Sequence, residues 1–283
     1  MADANPGPGE FPTVLGPDAN FKGELSFEKG MRLMGKFEGK VNTPGRVHVA
    51  KEAKMSADVE AGGVFWDSEP ALTAGIHLAL FEPHLTAPDL PMVDLGCGNG
   101  TQTRFLADRF PRVLGVDLAA AAVDHARHAD PAGQAEFRQL DAADKSTAEQ
   151  LHAELGDANV YMRGVLHQCE PADRQPLIDS VAALTGERGR ACLVELAEAA
   201  GPVLRDLVQG AGGPPPKLAP VFAHGIAPGE VADAAVPELV RSAGLTVLAA
   251  GSLPLTTTEY RADGTRIELP SKWLVVGRAG ATS

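Results

Sequence analysis

The stretch VDLGCGNG, residues 93–100, decides the fold class of this chain. The apolar run 91–95 is typical of a short buried strand, and the residues after the glycines are compatible with a helix. A strand, a glycine-rich turn and a helix in this order bring the N-terminal end of the helix to a ligand. Gly96 and Gly98 permit a close backbone approach to that ligand, because they carry no Cβ. Gly100 allows the helix to pack tightly on the strand.

Two acidic residues make this glycine pattern more specific. Asp94 lies on the predicted strand two residues before the first glycine, a position that a nicotinamide-binding fingerprint does not require. Asp117 ends the next apolar run, VLGV at 113–116. An acid at the tip of a second parallel strand can accept hydrogen bonds from both hydroxyls of a ribose. Asp117 therefore favours a ligand that contains a ribose.

The motif DLGCGNG, followed by VLGVD, resembles the class I methyltransferases that use S-adenosylmethionine. The resemblance covers about residues 64–278 and is specific for the family, although not for any methyl acceptor. It implies an α/β, Rossmann-like, doubly wound sheet of seven strands in the order 3-2-1-4-5-7-6. The implied cofactor is S-adenosylmethionine and its product S-adenosylhomocysteine. The alternative is an ordinary turn between a strand and a helix, with incidental glycines.

The same resemblance implies where the cofactor contacts lie. Asp141 ends the third predicted strand, where an acid of this family accepts a hydrogen bond from the adenine amino group, and the backbone N–H of Ala142 then meets a ring nitrogen. Arg163, at the end of the fourth strand, is expected near the amino-acid end of the cofactor or the acceptor. The alternative for Asp141 is a turn acid that caps a helix. The predicted set is Asp94, Gly96, Cys97, Gly98, Gly100, Asp117, Leu118, Asp141, Ala142 and Arg163.

Methyl transfer from a sulfonium is a displacement in line with the departing sulfur, so the protein must align the acceptor and exclude water. A phenol, an amine or an activated carbon acceptor calls for a general base. His167 is the first candidate base because it follows the fourth strand, and the next are His224, Glu195 and Tyr260. The alternative for His167 is a residue that orients a loop or lines the pocket.

A helix is predicted before the first strand of the glycine motif. Four apolar residues recur there at helical spacing: Leu72, Ile76, Leu80 and Phe81. Asp67 or Ser68 is expected to cap this helix. By the family resemblance such a helix lies over the cofactor, and Phe65 and Trp66 then form part of a lid or acceptor wall. Ordinary packing of these two aromatic side chains is the alternative.

The first part of the chain has a different composition. Residues 1–20 are predicted to be a disordered tail, and residues 21–63 a β-rich appendage with frequent lysines and short strands. A weak echo between residues 34–39 and 55–61 suggests rungs of a β-solenoid. The segment resembles the opening of bactofilins, polymer-forming cytoskeletal proteins with a β-helix core, over about two rungs. It is interpreted as an appendage without a catalytic role, with an assembly element or a fusion relic as alternatives.

The composition, charge and cysteine pattern argue against several classes of function. The net charge of −12 argues against a nucleic-acid partner, which normally requires a basic face. No apolar run approaches the length of a membrane span, and the first residues lack the pattern of a signal peptide. Cys97, Cys169 and Cys192 form no CxxC pair and have no accompanying histidine cluster, so no metal site is predicted. Three cysteines of this kind favour a reducing cytoplasm.

These observations predict a cytoplasmic methyltransferase that acts on a small molecule, with its catalytic domain at residues 64–283. The main alternative is a protein that binds S-adenosylmethionine without turnover and serves assembly, through self-association of residues 21–62. A nicotinamide oxidoreductase is a third hypothesis, and Asp94 and the spacing of the glycines argue against it.

Overall fold

The structure is a computed structural model that describes residues 13–26, 31–33, 36–42, 47–49, 54–60, 69–209, 231–261 and 264–279. By its contacts the chain divides into two compact units, Met1–Phe65 with Val208–Ala227 and Trp66–Leu207 with Pro228–Ser283. The sequence assigned every residue after 63 to one domain, so the second segment of the first unit was not predicted. Several residues named above lie outside the described ranges: Phe65, Trp66, Asp67, Ser68 and His224.

The first unit contains two parallel sheets of three strands each. Their strands are β1 Thr13–Leu15, β2 Asn20–Ser26, β3 Met31–Leu33, β4 Lys36–Asn42, β5 Val47–Val49 and β6 Lys54–Glu60. One sheet has the order β1-β3-β5 and the other β2-β4-β6. Each sheet thus contains one strand from each of three successive rungs, where the sequence suggested about two.

The register of these strands shows which residues of successive rungs lie opposite one another. In the backbone register, Phe21 lies opposite Phe37, and Phe37 lies opposite Met55. The rings of Phe21 and Phe37 are stacked, with centroids 5.6 Å apart and planes 9° apart. Phe37 is only 2% exposed. The similarity between residues 34–39 and 55–61 aligned Met34 with Met55. This alignment is wrong, because the residue opposite Met55 is Phe37, whose side chain is buried.

The prediction of a disordered tail through residue 20 is also wrong in its last part. Thr13–Leu15 forms β1, which pairs in parallel with Met31–Leu33, and Asn20 already begins β2. The glycines and prolines around Thr13–Leu15 dominate the local composition. Pairing with a strand 18 residues later supplies the backbone hydrogen bonds that local composition does not reveal.

The second unit is built around one sheet of seven strands. The strands are β7 Met92–Leu95, β8 Val113–Asp117, β9 Glu136–Gln139, β10 Asn159–Arg163, β11 Ala191–Leu196, β12 Thr246–Tyr260 and β13 Arg266–Gly277. The described helices are α1 Ala74–Phe81, α2 Thr101–Ala107, α3 Ala120–His128, α4 Lys145–Leu155, α5 Arg174–Thr185, α6 Ala200–Gln209 and α7 Ala235–Ser242.

The strands lie in the order β9-β8-β7-β10-β11-β13-β12. Numbered from one to seven within the unit, this order is 3-2-1-4-5-7-6, which is the order that the family resemblance implied. Strands β7 to β11 are parallel to one another, whereas β13 is antiparallel to both β11 and β12. The predicted α/β, Rossmann-like class is confirmed.

Helices cover both faces of the sheet, which explains why β7 and β11 are buried along their whole length. Successive side chains of a strand point to opposite faces. Met92 accordingly packs in a cluster with α1 and α2, while Val93 packs in a cluster with α4, α5 and α7. The α1–α2 face also receives the side chain of Asp94, two residues after Met92.

Helix α1 is present, but its buried face differs from the predicted one. The buried residues are Ala74, His77, Leu78 and Phe81. Leu72, which precedes the helix, and Ile76 are 38% and 43% exposed. The prediction was wrong for these two residues because the helix is apolar on nearly every side, so spacing alone does not select the face that packs.

The last two strands are longer than predicted. The sequence placed a connection at residues 256–260, whereas β12 extends from Thr246 to Tyr260 and pairs with β13 as far as Arg266, with a shift of register between Thr256 and Tyr260. Pro254 lies within β12 and is opposite Pro270. A proline is tolerated there because β12 is the edge strand of the sheet, where a missing N–H need not interrupt the ladder.

Replacing Gly100 by alanine should destabilise the protein more than replacing Gly133. Both glycines have positive φ, +74° and +65°, which costs alanine about 1–2 kcal/mol. A Cβ at Gly100 would also lie 2.7 Å from the Phe137 ring, whereas at Gly133 it would meet nothing within 4 Å. We expect Gly100→Ala to lose about 1–3 kcal/mol beyond Gly133→Ala, measured as the free energy of unfolding in urea. Equal losses would contradict the proposed packing.

Candidate functional site

The glycine loop is fastened to the neighbouring strand by its own backbone. The N–H groups of Gly96 and Cys97 both donate to the carbonyl of Val116, at 2.8 and 3.0 Å. The N–H of Gly100 donates to the carbonyl of Cys97 at 3.0 Å and closes the turn before α2. The ends of β7 and β8 are therefore held side by side, and the loop between β7 and α2 has one defined shape.

The glycines of this loop face different surroundings. A Cβ at Gly96 would collide with Val165, and one at Gly100 with Phe137, so both positions are closed by protein. At Gly98 a Cβ would meet no atom within 4 Å, although its φ of +53° disfavours other residues. The backbone of Gly98 thus faces open space. This is the part of the loop that a ligand can approach closely.

The carboxylate of Asp117 is oriented by two backbone donors. Its Oδ2 accepts a hydrogen bond from the N–H of Gly98, and its Oδ1 accepts one from the N–H of Ala119, both at 2.9 Å. Each carboxylate oxygen can accept more than one hydrogen bond, so the carboxylate retains capacity for a ligand. Leu118, the next residue, is 64% exposed and places an apolar side chain beside it.

Asp141 lies in a turn just after β9. Its Oδ1 accepts a hydrogen bond from the N–H of Ala143 at 2.9 Å, and its carbonyl accepts one from Thr147 Oγ1 at 2.7 Å. Asp141 is exposed, whereas Ala142 is 9% exposed and packs in the core. The turn bond fits the alternative of a structural acid. The adenine contacts of Asp141 and Ala142 stay a prediction.

Asp94 is buried in the sheet and accepts a hydrogen bond from Thr103 Oγ1 of α2 at 2.6 Å. Burial raises the pKa of Asp94 to about 6, and the nearby Asp117 adds to this rise, while the Thr103 bond and the charge of Arg163 oppose it. Through its hydrogen bond with Thr103, Asp94 joins β7 to α2. Burial and the charge of Asp94 also raise the pKa of Cys97, which keeps it a thiol near neutral pH.

A second buried polar pair lies on the same face of the sheet and was missed in the sequence. Nδ1 of His77, on α1, lies 2.7 Å from the hydroxyl of Tyr161, on β10. Both residues are almost fully buried. Burial, assisted by the charge of Arg163, lowers the pKa of His77 to about 3, so its imidazole is neutral near pH 7. The signal in the sequence was that His77 shares a helical face with Ala74 and Phe81.

Glu195 and His167 form a third buried group, on the loop that follows β10. Oε1 of Glu195 accepts the N–H groups of Val165 and Leu166 at 2.8 and 2.9 Å. Nδ1 of His167 donates to Oε2 at 3.0 Å, and both side chains are 2% exposed. This geometry matches the alternative that His167 orients a loop. A role of His167 as a general base stays a prediction.

The structure brings together only part of the predicted set. The glycine loop, Asp94 and Asp117 lie at the adjoining ends of β7 and β8, and Arg163 ends the neighbouring β10. Tyr260 is half exposed and its hydroxyl accepts a hydrogen bond from Arg266 at 2.6 Å, near the tip of the β12–β13 hairpin.

Among the residues that the structure describes, no group of three metal-ligating side chains is found. Nor is any described helix long and apolar enough to cross a membrane.

Asp94→Asn should change how stability depends on pH. The native pKa of Asp94 is raised from 3.8 to about 6, so between these values the native state holds a proton that the unfolded state has released. The wild type therefore loses stability as the pH rises through this window, by up to about 3 kcal/mol. The amide that replaces the carboxyl carries no charge to bury, so the variant should lose less between pH 4 and pH 7.

Urea unfolding at several pH values measures this difference. Asp124→Asn is the matched control, because Asp124 is an exposed acid on α3 that pairs with Arg127. This control should retain the wild-type pH dependence. If Asp94→Asn also retained it, the buried carboxyl would not be the group that titrates.

Glu195→Ala should destabilise the protein more than Glu195→Gln. Alanine leaves the buried N–H groups of Val165 and Leu166 without their acceptor, at about 1–3 kcal/mol for each. Glutamine keeps an oxygen for them and can donate its N–H to His167. Hydrogen exchange at the two amides and the free energy of unfolding report the effect. Equal losses in the two variants would show that these amides do not depend on Glu195.

Comparisons with known proteins agree with this geometry. A model of the methyltransferase domain family matches residues 92–189, and a model of the bactofilins, described as polymer-forming cytoskeletal, matches residues 13–67. The crystal structure of an S-adenosylmethionine-dependent methyltransferase from Anabaena variabilis is 32% identical, with a TM-score of 0.71 over 76% of this chain and 88% of that chain.

Two further similarities are weaker, one because its sequence identity is low and the other because it covers a short part of the chain. A structure reported for the conversion of a disulfide bond into a thioacetal group during echinomycin biosynthesis is 18% identical, with a TM-score of 0.54 over 77% of this chain and 86% of that one, and shows the fold alone. The trans-aconitate 2-methyltransferase of Paracidovorax citrulli is 54% identical over 54 residues, which span 18% of this chain and 20% of that protein. Given the Anabaena match and the loop geometry, this chain belongs to the S-adenosylmethionine-dependent methyltransferases.

Proposed function

We propose that this protein transfers the methyl group of S-adenosylmethionine to a small-molecule acceptor and releases S-adenosylhomocysteine. The observation that carries the proposal is the pairing of the open Gly98 backbone with the Asp117 carboxylate. They lie at the adjoining tips of two parallel strands, where α/β folds bind their ligands. Membership of the family supplies the identity of the cofactor.

The residues of the site suit this cofactor in their chemistry. Asp117 would accept hydrogen bonds from the ribose hydroxyls, because its carboxylate is already oriented by the N–H groups of Gly98 and Ala119. Leu118 would pack on the flat face of the adenine, since its exposed apolar side chain lies next to Asp117. Asp141 and the N–H of Ala142 would contact the edge of the adenine. Arg163 would lie near the carboxylate of the methionine part.

The bound sulfonium supplies an activated methyl group, so the chain has to align an acceptor atom and exclude water. We infer an acceptor that needs no deprotonation. His167, the first candidate base, is buried and bonded to Glu195 rather than exposed at the strand tips. A carboxylic acid is ionised near neutral pH and is therefore a nucleophile without a base.

We accordingly propose small carboxylic acids as the first acceptor class to test, and His167 as a residue that positions the loop. The local similarity to a trans-aconitate methyltransferase supports the same class, within its short range. His167→Asn should lower stability and keep turnover within about tenfold of the wild type. A loss of about a hundredfold or more in kcat would instead mark His167 as a general base.

A second function, self-association, is favoured by the first unit. Residues 21–62 include most of its parallel strands, and the terminal strands β2 and β6 each pair on one side only among the described strands. Edges of this kind are templates for pairing with another chain. Similarity to the bactofilin family supports assembly, and sedimentation of the full chain across a range of concentrations would test it.

The first experiment is calorimetric titration of the full chain with S-adenosylmethionine and S-adenosylhomocysteine. Asp117→Ala should weaken both by tenfold or more, since a charge-assisted hydrogen bond is worth about 1.5–3 kcal/mol. Asp124→Ala, which removes an exposed acid of α3, should bind as the wild type does. Melting curves establish that both variants are folded.

Transfer of a labelled methyl group to panels of carboxylic acids, phenols and amines follows. Transfer to acids alone would support the proposed acceptor class. Binding without transfer to any panel would favour the alternative of a cofactor-binding protein that serves assembly. Failure of the folded wild type to bind either compound would overturn the proposed function.

A further inference from the structure

The buried pair of His77 and Tyr161 has no place in the site as proposed so far. Burying an imidazole and a phenol costs free energy unless they bond each other, and an apolar pair would fill the space without that cost. His77 is 2% exposed and Tyr161 1%, and their polar atoms are 2.7 Å apart. Their position next to functional residues suggests what the pair does.

Tyr161 and Arg163 are two residues apart on β10, so their side chains leave the same face of the sheet. That face is the one that carries Asp94, because Tyr161 lies directly opposite Asp94 in the register between β10 and β7. The hydroxyl of Tyr161 is bonded to α1 through His77, and Asp94 is bonded to α2 through Thr103. The pair thus joins α1 to the strand that ends at Arg163.

We propose that His77 and Tyr161 are positioning residues that hold Arg163 and α1 in the arrangement that binds the amino-acid end of S-adenosylmethionine. This inference rests on the proposed function, since it concerns the same site. In this arrangement α1 contributes to cofactor affinity, in addition to the glycine loop and Asp117.

The electrostatics of the pair agree with this role. Arg163 influences the pKa of His77, of Tyr161 and of Asp94, so its charge lies within range of groups from α1, β10 and β7. Burial and Arg163 keep His77 neutral, which avoids a second positive charge beside the guanidinium. A neutral imidazole can accept the O–H of Tyr161, and the phenol oxygen then keeps lone pairs that can accept further hydrogen bonds.

The test compares Tyr161→Phe, His77→Leu and the double variant. Either single variant leaves one buried polar group unpaired and should lose stability, whereas the double variant should recover part of that loss. Affinity for S-adenosylmethionine should stay about fivefold or more below the wild type in all three, because the lost bond positions Arg163 in each case. KM for the cofactor should rise and kcat should change little.

A nucleoside that lacks the amino-acid part separates positioning from general loosening. Methylthioadenosine makes no contact at the methionine carboxylate, so its affinity should be the same in the wild type and the variants. Thr185→Val is the control for burial, since Thr185 is fully buried on α5 and bonds the carbonyls of Val181 and Ala182 in its own helix. It should lose stability and keep wild-type affinity for both compounds.

Each outcome is decisive. Equal losses of affinity for S-adenosylmethionine and methylthioadenosine, or wild-type affinity in the double variant, would overturn the positioning role and leave a structural pair. In either case the wild type still binds the cofactor, and the proposed function stands. Only a folded wild type that binds neither compound would remove the proposed function itself.

Discussion

The carboxylate of Asp117 is the contact on which the geometry of the site depends. It bonds the N–H of Gly98 in the glycine loop and the N–H of Ala119 at the start of α3. The loop is also fixed to β8 through the carbonyl of Val116. These bonds set the separation of the two strand tips, so the residues that follow each strand have a fixed relation to one another. A ligand that spans both tips meets a preformed surface rather than a mobile loop.

The two faces of the sheet differ in the polarity of the side chains that they bury. The face under α4, α5 and α7 is packed with apolar side chains. The face under α1 and α2 also buries two polar pairs, Asp94 with Thr103 and His77 with Tyr161. Buried polar pairs contribute little net stability, yet they restrict geometry strongly because each group has few acceptable partners. Restricted geometry is valuable where helices must be held close to a ligand.

The first unit follows a different principle. Its strands repeat every 16 or 18 residues, so that like side chains stack in register from rung to rung. The stacked rings of Phe21 and Phe37 are the clearest example. Such a unit is stabilised by contacts between neighbouring rungs only, and three rungs are close to the minimum that buries a continuous core. A short solenoid therefore gains from any further surface that covers its terminal strands.

Local patterns in the sequence determined the positions of the glycine loop and its acids, and the family resemblance that they carry implied the class of the fold and the strand order. The loop and its acids lie within about thirty positions of one another, and the physical requirements of a strand, a tight turn and a helix N-terminus are local. Only the tertiary structure decided which face of α1 is buried, because that helix is apolar on most sides. It also decided the partners of His77 and of Glu195, which lie 84 and 28 residues away. Such partners meet only after the register of the sheet is set, and no short-range pattern encodes that register.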